Sequence, residues 1–251
     1  MTLLAVERIK LFTTRSPLWC TLVALVVTVG FAAMLSGASD KAPTIPMTQF
    51  GYSFGMVVIM VMAALAITTE YRFGTIKSTF QAVPNRSAAL LAKTTVVTLF
   101  AALIGLIAAF GSLGIAKLIR SDADLGLSTA YDWRAVGGVG LIFAGAAIIA
   151  LAVGILVRHS AGAIALVLIY SQVVEGLIQL IPTVGDDIHK WLPFNVADKF
   201  LTGNPDTPFR VGEGPPISDS TLSPWWALAY FLGFAIVLLI ISLVTANKRD
   251  A

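Results

Sequence analysis

Six long apolar runs constrain this chain of 251 residues more than any other feature of its sequence. A helix needs about 20 mostly apolar residues to cross the hydrocarbon core of a membrane. The runs are continuous rather than alternating in hydrophobicity, which favours membrane helices over the strands of a β-barrel. The predicted spans cover residues 18–35, 50–69, a crossing within 87–119 that begins near Thr94 and ends near Lys117, 135–157, 161–181 and 224–246.

The composition excludes the main alternatives to a membrane protein. Hydrophobic residues make up 57% of the chain and charged residues only 12%, against about 25% charged residues in a typical soluble domain. Because so few charges cannot cover a soluble surface, a soluble enzyme, a disordered chain and a fibrous repeat are excluded. The single cysteine, Cys20, allows no intramolecular disulfide. No basic run exceeds two residues, so we predict no binding of nucleic acid.

The chain is therefore predicted to be an all-α integral membrane protein with one transmembrane domain over residues 1–251. Residues 1–16 carry apolar side chains on one helical face and polar ones on the other, which predicts a helix lying in the membrane interface. The remaining segments are spans one to five in 17–181, an extracellular loop with short helices in 182–223, span six in 224–246 and a tail in 247–251.

The distribution of basic residues predicts the orientation. With the N-terminus inside, ten Lys and Arg residues fall on the inner side of the predicted spans and seven on the outer side. Basic residues flank spans preferentially on the cytoplasmic side. We therefore predict a multi-pass protein of the plasma membrane with both termini in the cytoplasm.

Residues 70–86 form the connection between spans two and three and are too polar to continue span two. Helical periodicity persists through Ile76, Phe80 and Val83 until Pro84 breaks it. We predict a short helix at the cytoplasmic surface, where basic and apolar side chains mix. Such a helix can dock into a groove of a soluble partner, or it can be a simple connector.

The segment between spans five and six is rich in Pro and Gly, but residues 191–201 within it are amphipathic. Pro193 is well placed near the start of a helix. We predict one or two short outer helices here, which cap the spans or dip partway into the membrane.

Glu175 is the one ionisable residue inside a predicted span, and Gln172 and Gln179 lie on its helical face, with Ser171 four residues before it. A carboxylate at this depth is costly and normally faces protein or a water-filled cavity. Two interpretations stay open. The polar face of Ser171, Gln172, Glu175 and Gln179 lines a translocation path, or it forms a hydrogen-bond network between helices that holds a dimer.

Catalytic motifs are absent from the sequence. It contains no G-x-x-x-x-G-K-[ST], no H-E-x-x-H and no G-x-S-x-G. Asp186, Asp187 and His189 are interpreted as part of a solvated acidic loop rather than a metal site. We predict no catalytic residue, no metal and no cofactor on this chain.

Two segments carry a family resemblance. One is Glu70-Tyr71-Arg72-Phe73-Gly74-Thr75-Ile76, followed by Pro84-x-Arg86, and the other is Leu192-Pro193-Phe194-Asn195. Together with the predicted topology, they resemble the membrane-spanning permease subunit of an ABC exporter of the type-2 class. The resemblance covers essentially the whole chain.

The resemblance implies a coupling helix that contacts a separate P-loop ATPase subunit, and a second contact at the turn between spans four and five. It also implies two ATPase subunits that bind ATP and Mg, and a second permease that is either a copy of this chain or a paralogue. The coupling residues that it implies are Glu70, Tyr71, Arg72, Phe73, Gly74, Thr75, Ile76, Phe80, Arg158 and His159.

The sequence thus predicts a permease that moves an amphipathic or lipophilic substrate out of the cell, with ATP hydrolysis on another subunit. An ion-gradient-driven secondary transporter is the main alternative, although such proteins often show inverted repeats and several intramembrane charges. An accessory membrane subunit is a further alternative. A membrane-embedded enzyme would need clustered polar residues within the spans, which the sequence lacks.

Overall fold

A computed structural model of the chain describes residues 2–38, 42–83, 85–203, 215 and 217–249. All regular secondary structure among these residues is helical, with no β-strand. Six helices are long and apolar enough to cross a membrane, which confirms the predicted all-α membrane fold. These spans are Arg15–Ala38, Ile45–Phe73, Arg86–Ile119, Ala130–Val157, Ser160–Ile178 and Pro224–Arg249, of which the second and the fifth each contain more than one of the elements given below.

The helices follow the predicted order, with additional short elements between the spans. In chain order they are α1 (Leu3–Thr13), α2 (Arg15–Ala38), α3 (Ile45–Thr48), α4 (Tyr52–Phe73), α5 (Thr75–Ala82), α6 (Arg86–Ile119), α7 (Ala130–Val157), α8 (Ser160–Ile169), a π-helical turn (Tyr170–Val174), α9 (Glu175–Ile178), α10 (Gly185–His189), α11 (Pro193–Thr202) and α12 (Pro224–Arg249).

Helix α7 lies at the centre of the bundle and packs against α4, α6 and α12. Glycines allow its neighbours to approach closely. A Cβ atom on Gly145 would come within 2.5 Å of the Phe231 ring, and one on Gly154 would come within 2.5 Å of Ile67 Cγ2. In a membrane, helices associate through such close van der Waals packing rather than through the hydrophobic effect. These contacts fix α7 between span two and span six.

The boundary between α4 and α5 differs from the predicted one. The residues from Glu70 to Phe73 were expected outside span two, but α4 continues through them and ends at Gly74. Gly74 has φ +72°, a left-handed conformation that glycine adopts at little cost. The short helix α5 follows directly, so a helix does lie between spans two and three.

Span three is a single helix of 34 residues that begins at Arg86, well before Thr94. The Asn85 side chain caps its N-terminus by accepting a hydrogen bond from the Ala88 amide at 3.0 Å. Lys93 therefore lies within a continuous helix, and its side chain is buried. Pro84, which was expected to break the preceding helix, lies outside the described residues.

Helix α5 and the described parts of both termini lie at the same end of the bundle, which we call the α5 end. The Asn247 side chain of α12 donates to Ser87 Oγ of α6 at 2.8 Å. Arg249 donates to the Leu156 carbonyl near the end of α7 at 3.2 Å. Residues 250–251 of the predicted tail lie outside the described part.

Helices α10 and α11 lie at the opposite end, which we call the α11 end. Here the Phe200 ring of α11 packs edge-on against Trp225 at the start of α12, with centroids 5.5 Å apart. Helix α11 begins at Pro193, as the sequence predicts. Within the predicted loop 182–223, residues 204–214 and 216 lie outside the described part.

Candidate functional site

Four charged side chains from three helices form a compact cluster at the α5 end. Lys93 Nζ on α6 lies 2.5 Å from Glu7 Oε2 on α1 and 3.0 Å from Glu70 Oε1 on α4. Lys10 Nζ on α1 lies 2.7 Å from Glu7 Oε1 and 3.4 Å from Glu70 Oε1. Two carboxylates and two ammonium groups therefore alternate in one network, which we call the ion cluster.

Glu7 and Lys93, at the centre of the ion cluster, are withdrawn from solvent, so each needs a counter-charge within the protein. Glu7 is 5% exposed and Lys93 is 6% exposed. Burial raises the pKa of Glu7, but the charges and hydrogen bonds of Lys93 and Lys10 outweigh burial and hold that pKa below its usual value. Burial likewise lowers the pKa of Lys10, but Glu7 and Glu70 outweigh it and raise that pKa. Both groups are therefore held in their charged forms.

The ion cluster also reaches α5. Lys10 Nζ donates to Thr79 Oγ1 at 3.1 Å, which joins α1 to the middle of α5. Ile76 is buried, and Phe80 packs against the core while the Arg86 guanidinium lies 5.7 Å from the centre of its ring. Helix α5 is therefore attached to α1, α4 and α6 rather than suspended as a free connector.

The residues at the α4–α5 junction divide into a buried and an exposed set. Glu70 and Tyr71 are partly buried and Ile76 is fully buried. The other set is accessible, and Phe73 is 71% exposed. The exposed set consists of Arg72, Phe73, Gly74, Thr75, Lys77 and Ser78.

The turn between α7 and α8 lies beside this junction. The Arg158 guanidinium lies 5.0 Å from the centre of the Tyr71 ring, an arrangement typical of a cation–π contact. Arg158 itself has φ +59° and ends α7 in the left-handed conformation. His159 Nδ1 accepts a hydrogen bond from the Gly162 amide at 3.2 Å and so caps α8. The two segments predicted to contact an ATPase are therefore neighbours in the fold.

Glu175 makes a different kind of contact near the α11 end. Its carboxylate accepts hydrogen bonds from the backbone amides of Phe194 at 3.1 Å and Asn195 at 2.9 Å. These are the second and third residues of α11, whose amides lack partners within the helix. Leu192, at the N-cap position, has no side chain that can accept them. Glu175 therefore caps α11 from another helix.

The other members of the predicted polar face do not join Glu175. The π-helical turn at residues 170–174 changes the helical register just before Glu175. Glu175 is 5% exposed, whereas Gln172 and Gln179 are exposed and Ser171 is partly exposed. Gln172 Nε2 approaches only the neighbouring Ser171 Oγ, at 3.5 Å. The carboxylate thus points into the bundle while the two glutamines point away from it.

A second carboxylate, Asp198, lies on α11 and accepts a hydrogen bond from the Tyr52 hydroxyl at the start of α4. Burial raises the pKa of Asp198 to about 7, and the Glu175 carboxylate contributes to the increase while the Tyr52 hydrogen bond opposes it. Helix α11 is thus joined to span two by this contact and to span five by Glu175.

Asn195 extends the contacts of α11. Its side-chain amide donates to Asp219 Oδ1 at 2.7 Å and to the His189 carbonyl at 2.8 Å. His189 Nδ1 lies 3.0 Å from the same Asp219 oxygen. Asp219 and His189 therefore bind each other and α11, and the connection to α12 is fixed to the outer helices.

Sequence reasoning missed the partners in both networks. Glu7 and Lys10 belong to residues 1–16, which were predicted only as an interfacial helix, and Lys93 directly precedes the predicted start of the third crossing at Thr94. The usable signal was the position of Lys93, because a lysine within an apolar run needs an acidic partner. Such a signal predicts that a partner exists but not that it is Glu7, which lies 86 residues away in sequence.

The fold defines a multi-pass α-helical membrane protein, and comparison with known families identifies the class. The sequence model for the ABC-2 family transporter protein matches residues 3–174, which is more than half of the chain. The chain therefore belongs to the ABC-2 transporter family, as the resemblance implied. No curated protein matches the chain.

Membership of the family has direct consequences. It makes the chain a membrane component of an ABC-type transporter, not itself an enzyme, and it implies association with an ABC ATPase subunit. The matched range includes the ion cluster, α5 and the turn between α7 and α8. Glu175 and the α11 end lie beyond it.

The ion cluster generates a prediction about stability. Lys93→Met leaves a buried excess of negative charge, and removing one partner of a buried pair costs about 3–5 kcal/mol. We expect a large fall in the thermal unfolding midpoint in detergent, whereas Lys77→Met, at an exposed lysine of α5, should have little effect. The double variant Lys93→Met, Glu7→Gln restores neutrality and should be more stable than Lys93→Met alone. A double variant less stable than the single one would contradict this account.

The cap on α11 generates a second prediction. Glu175→Leu removes both acceptors from the Phe194 and Asn195 amides. Because a hydrogen bond to a charged group contributes about 1.5–3 kcal/mol, hydrogen exchange at these amides should accelerate by about tenfold or more. The matched control is Gln172→Leu, which should leave exchange in α11 unchanged. Unchanged protection of α11 in the Glu175 variant would show that the carboxylate does not act as its cap.

Proposed function

We propose that this chain is the permease subunit of an ATP-driven exporter in the plasma membrane. Two such permeases and two ATPase subunits form the working unit, and the ATPase subunits bind and hydrolyse ATP with Mg²⁺. The substrate is an amphipathic or lipophilic molecule that leaves the cell. In the orientation predicted from the basic residues, the α5 end and both termini are cytoplasmic, and the α11 end is extracellular.

The observation that carries this proposal is the attachment of an exposed surface helix to the ion cluster. The α4–α5 junction offers Arg72, Phe73 and Lys77 to a partner, while Thr79 and Glu70 connect the same segment to α1 and α6. A force applied to α5 is therefore transmitted to span two, span three and the N-terminal helix together. Mixed basic and apolar side chains on an exposed helix suit the groove of a soluble protein.

Coupling then operates as a shift between two arrangements of the spans. ATP-driven closure of the partner subunits changes the equilibrium only if the closed partner binds one arrangement better than the other. Helix α5 and the adjacent turn at Arg158 and His159 are the surfaces on which that difference in binding would arise. Because the ion cluster joins α1 to spans two and three, we expect these helices to move as one unit.

The exposed face of span five supports the pairing of two permeases. Gln172, Gly176 and Gln179 are exposed there, although the helix is long and apolar enough to cross a membrane. A glutamine side chain facing lipid finds no hydrogen-bond partner in the hydrocarbon, which is unfavourable. A second permease across this face supplies partners, and the same face then borders the translocation path. Glu175, which caps α11, sets the position of the extracellular helices above that path.

The test of the function is purification of the full chain from its native membrane in mild detergent. A P-loop ATPase should accompany it at a fixed one-to-one ratio, and ATP hydrolysis by the complex should increase with the transported substrate. A chain that purifies without any ATPase and transports in response to an ion gradient alone would contradict the proposal.

Gly74 provides a prediction about coupling. It has φ +72°, and its amide donates to the Tyr71 carbonyl at 3.3 Å. Gly74→Pro can neither adopt that φ nor donate that hydrogen bond, so α5 should lose its orientation. We expect ATP hydrolysis by the complex to continue while transport is lost. Gly74→Asn is the matched control, because asparagine tolerates the left-handed conformation, and it should retain most transport. Equal transport by both variants would contradict the coupling role.

Gly176 provides a prediction about pairing. A Cβ atom there would meet nothing within 4 Å, so Gly176→Leu is accommodated by the single chain. At an interface between two permeases, the same leucine side chain would clash with the second permease or hold the glutamines away from their partners on it. We expect the variant to lose the paired form in cross-linking within native membranes and to lose transport. Gly233→Leu in span six, where a Cβ atom also meets nothing within 4 Å, is the control and should pair normally. Normal pairing by both variants would exclude this face.

A further inference from the structure

A cavity of about 560 Å³ lies beside the ion cluster, between α1, α4, α5 and α6. One wall is apolar and includes Leu65, Ala66 and Val97, which line the cavity on its side nearer the middle of the bundle. The other wall is polar and is formed by hydroxyl groups and by the ion cluster itself. The cavity therefore has the two-sided character that suits an amphipathic molecule.

Three hydroxyl groups of the polar wall are oriented as acceptors. Thr14, Thr69 and Ser78 line the cavity, and each donates its proton to a carbonyl three or four residues earlier in the chain. A hydroxyl has one proton and two lone pairs. Once the proton is engaged within the helix, the oxygen offers only acceptor capacity to the cavity.

The charged groups have the same bias. Lys10 directs its ammonium at Glu7, Glu70 and Thr79, and Lys93 directs its own at the same two carboxylates. Each ammonium group therefore has at least two of its three N–H donors engaged within the cluster and α5. By contrast, Glu70 Oε2 is buried and accepts no hydrogen bond from any of the described residues. A buried carboxylate oxygen without a donor is unfavourable, but Glu70 Oε2 has almost no accessible surface, so it is the hydroxyl oxygens of the polar wall that offer acceptors to a ligand.

We propose that this cavity binds the polar end of an amphipathic molecule rich in hydrogen-bond donors, a primary ammonium or a polyol head, with its chain along Leu65, Ala66 and Val97. The ion cluster is neutral overall, so it admits a neutral or singly positive head. An anionic head would face acceptors and the Glu70 carboxylate, and it is disfavoured. The molecule comes either from the bilayer, as a resident lipid, or from the transported pool. Binding here requires neither ATP nor a partner subunit, so it stands independently of the proposed function.

The test uses the purified full chain in nanodiscs of phosphatidylcholine, whose head group lacks a donor. The two probes are a diazirine-bearing dodecylamine and its N-trimethyl derivative, which has the same charge but no N–H donor. We expect the amine to label the segment from Met62 to Thr69 about tenfold more than the trimethylated probe, as the loss of a hydrogen bond to a charged group predicts. Equal labelling by the two probes would overturn the proposal.

Two variants locate the binding. Ala66→Phe fills the cavity from its apolar wall and should abolish selective labelling, whereas Ala33→Phe, at a partly exposed alanine of span one outside the cavity, should not. Thr69→Val keeps the side-chain shape but removes one acceptor, and it should reduce the preference for the amine. The thermal unfolding midpoint of each cavity variant is measured first and should lie close to that of the unmodified chain, so that a loss of labelling does not reflect a loss of folding. Undiminished selectivity in the folded Ala66→Phe variant would overturn the proposal.

A second pair of nanodiscs distinguishes the two sources of the ligand. Phosphatidylethanolamine carries a primary ammonium, so if the resident ligand is a lipid, its addition to the bilayer should compete with the amine probe. If the cavity serves cargo, labelling in the complex with the ATPase should fall during ATP turnover, whereas labelling of a site for a resident lipid should not change. Each of these results assigns a source. Competition by additional phosphatidylcholine, which has no donor, would contradict donor recognition.

Discussion

The pairing of Lys93 with Glu7 and Glu70 is the interaction on which the α5 end depends. A buried position offers no water to a charged side chain, so Lys93 must find its counter-charge within the protein. The carboxylates come from α1 and α4, and this requirement fixes the N-terminal helix against spans two and three. It also explains why α4 continues through Glu70 to Phe73, because a paired glutamate no longer needs to leave the helix for solvent.

The α11 end follows the same physical rule with a different donor. Glu175 is satisfied by the first free amides of α11 rather than by a cation, since a helix N-terminus carries unpaired N–H groups and a partial positive charge. At each end of the bundle, carboxylates thus join neighbouring helices to one another. Between the two ends, glycines on α7 bring the helices into close contact. Polar contacts fix which helices meet, and close packing fixes how near they approach.

Local patterns were sufficient to predict the six spans and helices α5 and α11, but they predicted neither α3 nor the contacts between the elements. Apolar runs fixed the six spans, and the periodicity through Ile76 and Phe80 predicted α5. Proline predicted the start of α11 at Pro193. By contrast, the partner of Lys93 is 86 residues away, and the amides that Glu175 caps lie 19 and 20 residues further along the chain. The predicted face of Gln172, Glu175 and Gln179 assumed an uninterrupted α-helix, and the π-helical turn before Glu175 changed the direction of the carboxylate.

The distribution of charge connects these contacts to the source of energy. The intramembrane carboxylate Glu175 is engaged by α11, and the charges nearest the hydrocarbon at the other end are engaged in a neutral cluster. A transporter driven by an ion gradient needs an ionisable group that can release and rebind an ion within the membrane. Groups held in fixed pairs are poorly suited to that task but well suited to transmitting force between helices. The arrangement therefore supports the proposal that the conformational changes are driven from outside the membrane, through α5, by the ATPase subunit that family membership implies.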